Sequence, residues 1–119
     1  MESDEELMRA VAHGDERALA SLVERYAARI HAFLTRVTGD RDDADDLLQD
    51  TWMRVARGAR DFDPARQLRP WLYGIAANLA RDLQRRRAVR LRAVRDGSMA
   101  ANQPGVTNRP LERIDMRER

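Results

Sequence analysis

At 119 residues without a cysteine, the chain has room for one domain with a modest core. Disulfides, thiolate metal sites and cysteine nucleophiles are excluded. Its 22 basic residues, all arginine, and 20 acids are unevenly spread: residues 1–51 hold 6 Arg against 13 Asp and Glu, a net of −7, whereas residues 52–119 hold 16 Arg against 7, a net of +9. This layout predicts two surfaces with different partners, the basic one suited to a polyanion. No apolar run approaches the roughly 20 residues of a membrane span, and no apolar signal region follows the acidic start MESDEEL. These features predict a cytoplasmic chain without membrane insertion.

The first 95 residues read as helical. Ser3 with Glu6 forms a capping-box pattern opening a short helix to about Val11. Gly14 ends that helix, and Asp15 can cap the next. From Ala18, apolar residues recur at Leu19, Leu22, Val23, Tyr26, Ile30, Phe33, Leu34 and Val37, a helical stripe of about five turns. Gly39 closes it. Asp40 can cap a third helix, with Asp43 at the position for a second box. That helix is expected to bury Ala44, Leu47, Leu48, Thr51, Val55 and part of Trp52, and to end at Gly58.

The connection GARDFDPARQ carries Phe62 and has Arg57, Arg60 and Arg66 in or beside it. Pro70 suits the first residue of a fourth helix, where its missing N–H is no loss. The apolar side of that helix is Leu72, Ile75, Ala76, Leu79 and Leu83, running into QRRRAVRLRAVR. After Asp96 the periodicity vanishes, so residues 96–119 read as a linker or mobile tail. The expected fold class is all-α: a compact bundle of about four helices over residues 1–95.

The third helix carries DDADDLLQD, five aspartates in nine positions. At 100° per residue, Asp46, Gln49, Asp50 and Met53 share the face opposite its apolar side. A solvated face is the plain reading of such a stripe. Metal binding is disfavoured, because aspartates on one helix do not converge and His13 and His31 lie elsewhere. A protein-binding stripe is the sharper reading, since Met53 adds contact area and the carboxylates would seek arginine on a partner.

On the fourth helix, Trp71, Gly74, Asn78, Arg81, Asp82 and Arg85 form a second stripe, and Arg86, Arg87, Arg90, Arg92 and Arg95 extend its charge. Arginine can pair with phosphate, asparagine with a base edge, and an aromatic ring with an unpaired base. Trp71 could equally be a large core residue. The combination with the Phe62 loop favours a single-strand nucleic-acid surface.

The pieces GDERALASLVERY, TGDRDDADDLLQDTWMRV and FDPARQLRPWLYGIAANLARDLQRRR, in this order and spacing, resemble region 2 of bacterial sigma-70 family factors of the extracytoplasmic-function type. The resemblance covers roughly residues 4–90. It implies a transcription initiation domain that binds core RNA polymerase at a coiled coil of its β′ subunit, with Asp46, Gln49 and Asp50 as contacts and Met53 and Arg54 as neighbours. It also implies recognition and melting of the promoter −10 element as single-stranded non-template DNA. Phe62, Asn78 and Asp82 would form a base pocket and Arg81 and Arg85 would hold phosphates, with Arg66, Trp71 and Arg86 completing the DNA surface. An anti-sigma factor is a further implied partner; no cofactor or metal is implied.

Two departures from the family pattern stand out. Arg69 and Pro70 occupy the start of the fourth helix, where a favoured cap is missing. The family also continues into a second, helix-turn-helix domain reading the −35 element, for which nothing after Gly97 has room, through excision or natural absence. Competing readings are a region 2-like decoy for an anti-sigma factor and a nonspecific basic binder. An enzyme is disfavoured, as no nucleophile–base arrangement is visible.

Overall fold

The computed structural model describes residues 1–97. Four helices follow one another: α1 (Asp4–Ala12), α2 (Glu16–Thr38), α3 (Arg41–Gly58) and α4 (Leu68–Arg95), with a 3-10 turn at Ala59–Asp61 between the last two. Among the described residues there is no strand, so the all-α expectation holds. The tail expected from Asp96 lies, from residue 98 on, outside the described residues.

Local chemistry sets most helix ends. The Ser3 hydroxyl accepts from the Glu6 N–H at 3.0 Å, and the Glu6 carboxylate accepts from the Ser3 N–H at 2.8 Å, closing a reciprocal box. The Asp15 carboxylate accepts from the Arg17 and Ala18 N–H groups. Asp40 does the same for Asp42 and Asp43. Gly39 ends α2 in the left-handed region at φ 74°, where a side chain would be strained, and its N–H reaches the Thr35 carbonyl at 2.7 Å.

Two ends differ from the sequence reading. Asp43 does not close a second box: its carboxylate receives Arg87 of α4, and the Asp40 N–H goes to the Thr38 hydroxyl at 3.2 Å. Helix α4 begins two residues before Pro70, at Leu68, with Gln67 preceding it and offering no side-chain cap. The uncapped donor is met from afar, since the Leu68 N–H donates to Glu5 Oε2 of α1 at 2.9 Å. Proline at the third helical position is tolerated for the reason it is tolerated at the first: that N–H has no partner within the helix.

The apolar stripes converge on one core. Leu7 and Met8 of α1, Leu22, Ile30 and Leu34 of α2, Leu47 and Val55 of α3, and Leu72, Ile75 and Leu79 of α4 are all buried. Each such side chain contributes about 1.5–3 kcal/mol on leaving water. Asp43, near the start of α3, meets Arg87, late in α4, so these two helices run antiparallel, as their short connection requires. The last buried residue of α4 is Asp82. Beyond it the helix runs a further 13 residues to Arg95, about 20 Å at helical rise, with Val89, Leu91 and Val94 exposed.

Candidate functional site

The five aspartates of the acidic segment face different ways. Asp42 is exposed. Asp43 takes both terminal nitrogens of Arg87, at 2.6 and 2.8 Å, and that contact holds the guanidinium above its ordinary pKa. Asp45 meets His31 Nε2 of α2 at 2.7 Å. Only Asp46 and Asp50 remain on the side read as a partner surface, joined by exposed Gln49 and by Met53, which is 45% exposed. Asp50 is half-buried. Burial pushes its carboxyl above the ordinary value, Arg54 opposes this, Asp46 adds to it, and Arg86 of α4 opposes it again. The stripe therefore combines three open side chains with one carboxylate set into the α3–α4 seam.

Arg54 was expected beside this stripe, yet it is fully buried. The reason is periodicity: Leu47, Thr51, Arg54 and Gly58 recur at helical spacing, and all four are buried on the core side of α3. Its charge hid this in the sequence, because arginine is seldom enclosed. Asp82 on α4 is the second such case at 8% exposure, three residues after buried Leu79, and it accepts from Arg85 Nη2 at 3.1 Å. Neither residue offers an open surface in this conformation. Any role in partner contact or a base pocket would act through neighbours.

Phe62 also sits inside, at 8% exposure. Its ring lies 4.9 Å from that of half-buried Trp71, at a tilted 56°. Together they form an aromatic floor under the connection, in which Phe62 is enclosed and only Trp71 is partly open. The loop above is shaped by Asp63, whose carboxylate accepts from the Ala65 N–H and whose carbonyl accepts from the Arg66 N–H, each at 2.9 Å. That turn leaves Arg66 exposed at the mouth of α4. About two helical turns beyond Trp71, Asn78 is half-buried and its amide oxygen accepts from exposed Arg81, which leaves the amide NH₂ to donate. Arg85 is exposed beyond it, while Arg86 is half-buried. The exposed face of α4 thus runs from an aromatic floor, through one oriented amide, into a line of guanidinium groups.

The family described as Sigma-70 region 2 matches residues 22–90. The chain belongs to that family. Among curated relatives, it is similar to RNA polymerase sigma factor NccH of Alcaligenes xylosoxydans xylosoxydans, at 31% identity over 95% of this chain and 63% of the relative. With ECF RNA polymerase sigma factor SigE of Mycolicibacterium smegmatis it shares 38% identity over 77% of this chain and 38% of the relative. With RNA polymerase sigma factor CnrH of Cupriavidus metallidurans it shares 36% over 75% and 47%. These relatives make it a sigma-70 region 2 chain of the ECF type, spanning about two fifths to three fifths of their lengths. No solved structure matches. Every candidate residue from Asp46 to Arg86 falls inside the region 2 match, whereas α1, whose Glu5 caps α4, lies before it.

Proposed function

We propose that this region 2 chain serves transcription initiation by docking core RNA polymerase on α3 and holding promoter −10 DNA, as a single non-template strand, along the Arg66 loop and α4. The observation that carries the reading is the pairing of the two surfaces on one antiparallel helix pair. An open stripe of Asp46, Gln49 and Met53 lies on α3, the guanidinium line of Arg81 and Arg85 on α4, and the Asp43–Arg87 contact ties the two together. A partner bound to one helix would fix the direction in which the other presents its cations.

The stripe would meet arginine or lysine of the β′ coiled coil, where charge-assisted hydrogen bonds favour a charged, preset carboxylate. On α4, phosphates would pair with Arg66, Arg81 and Arg85, and the Asn78 NH₂ would donate to an acceptor on an unpaired base. Trp71 supplies the accessible part of the aromatic floor, and Phe62 fixes it from below. Extruding a base costs a few kcal/mol, and stacking of about 1–3 kcal/mol per base offsets much of this. The domain therefore melts DNA by trapping a strand that breathes open, a population shift by differential binding, with all covalent chemistry left to polymerase. An anti-sigma factor would compete for the same stripe.

The test is selection from a randomised single-stranded DNA pool by the chain together with core polymerase. Enrichment of a short motif, lost in the Asn78→Ala variant, is the expected result. Retention of strands without any motif would leave only nonspecific polyanion binding.

A further inference from the structure

Helix α1 holds the connection that carries Phe62 and Arg66 at both of its ends. At the near end, the 3-10 turn Ala59–Asp61 packs on α1. At the far end, Glu5 Oε2 accepts from the Leu68 N–H at 2.9 Å. Helix α1 is itself anchored, with Leu7, Met8 and Val11 buried. Its Asp4 carboxylate accepts from Arg25 Nη1 at 2.9 Å and from the Tyr26 hydroxyl, both on α2. Arg69, beside Leu68, has its guanidinium 5.9 Å from the centre of the same Tyr26 ring. The first turns of α1 and α4 therefore share one frame.

Helix α4 cannot fix this end from its own sequence. Gln67 gives no side-chain cap, the first turn holds no acid, and Pro70 has no N–H to offer. Leu68 is 1% exposed, so water is a poor substitute partner for its N–H. Helices α2 and α3, by contrast, carry Asp15 and Asp40 as local caps. A local cap steadies a helix end in any orientation, whereas a bond to another helix also fixes where that end lies. Arg66 stands two residues before Leu68, and Trp71, packed on Phe62 at 4.9 Å, stands three after it.

We propose that Glu5 is a positioning residue for strand recognition. By tying Leu68 to α1, it sets where Arg66 and the half-buried Trp71 stand relative to the enclosed Phe62. This deepens the reading of α4 as a single-strand surface and rests on it for the ligand. The Glu5–Leu68 bond belongs to the free chain and does not depend on that reading. Two roles for Glu5 differ in sign: loss of an acid that merely repels phosphate would tighten DNA binding, whereas loss of a positioning contact weakens it.

The experiment measures, by anisotropy, binding of a fluorescein-labelled single strand from the selection above to the full chain. Wild type is compared with Glu5→Gln, Glu5→Ala, and Glu5→Ala combined with Gln67→Ser. Amide exchange at Leu68, the Trp71 indole NMR signal, unfolding stability and polymerase capture are followed in the same chains. Glu5→Gln keeps an acceptor oxygen and should match wild type. Glu5→Ala should speed Leu68 exchange, shift the Trp71 signal and weaken the strand about fivefold, the low end of coupling between linked sites, with capture unchanged. Adding Gln67→Ser offers a cap to the Arg69 N–H but not to Leu68, so stability should recover while affinity stays low. Affinity returning in step with stability would mark a role in folding only and overturn the proposal. Equal or tighter binding by a folded Glu5→Ala chain would overturn it too, as would weaker binding with Leu68 exchange unchanged. If Glu5→Ala alone does not fold, the combined variant decides: weak binding supports the proposal and wild-type binding overturns it. Absence of strand binding by wild type, with the Leu68 and Trp71 signals still responding to Glu5→Ala, would instead overturn the DNA reading of α4.

Discussion

Arg87 donates both terminal nitrogens to the Asp43 carboxylate, at 2.6 and 2.8 Å, across the seam between α4 and α3. The contact diverts one aspartate of the acidic segment from any outside partner and anchors α4 just where it leaves the core. Arg87 is half exposed, at 52% for its side chain, against 15% for Asp43, so solvent weakens the attraction. A double-mutant cycle with Arg87→Ala and Asp43→Asn, read by urea unfolding, is expected to give a coupling of about 0.5–1 kcal/mol. The coupling should shrink in about 1 M salt. A cycle that closes at zero would show the pair to be incidental.

Phe62 is a different kind of residue from the one its loop position suggested. Enclosed against Trp71, it should behave as core: Phe62→Ala is expected to destabilise the chain by about 3 kcal/mol, measured by denaturant unfolding. A loss below about 1 kcal/mol, together with weaker single-strand binding, would return it to the DNA surface.

Asn78 and Arg85 separate base reading from phosphate binding. Substituting Asn78 by alanine should leave stability within about 0.5 kcal/mol and relax preference at one position of a selected single strand. Arg85→Ala should weaken all strands alike and reduce the salt slope of binding by about 0.7–1. Fluorescence anisotropy against a selected strand and its single-base variants distinguishes them.

Acid should loosen α1 first at its start. The Glu6 carboxyl is held below its ordinary value, chiefly by the Ser3 backbone N–H. A lowered folded value means that this contribution is fully present above the unfolded value and is lost as pH falls through the folded one. Hydrogen exchange at the first turn of α1 should accelerate over that interval in wild type, and Glu6→Gln should flatten the response. Identical profiles would remove the box as the cause.

How much was legible in the sequence follows from how local each determinant is. The capping by Ser3, Glu6, Asp15 and Asp40 and the left-handed Gly39 involve partners within four residues, so spacing alone reveals them. The start of α4 was misread because its donor is met by Glu5, sixty-three positions earlier, a relation no local pattern contains. Asp43 looked like a cap and proved to be half of a tertiary pair for the same reason. Arg54 and Asp82 lie at core spacing, but their charge outweighed that signal, and only packing reveals that the fold encloses them. The open positions Asp46, Gln49 and Met53 were readable, since both periodicity and residue type point outward.

The docking of α3 on polymerase is the claim on which the rest depends. Its most direct test is capture of bacterial core RNA polymerase by this chain, comparing wild type with a variant carrying Asp46→Ala, Gln49→Ala and Asp50→Ala. Wild type should retain polymerase while the triple variant, unchanged in helicity, does not. Equal retention by both would contradict the assignment of the α3 stripe.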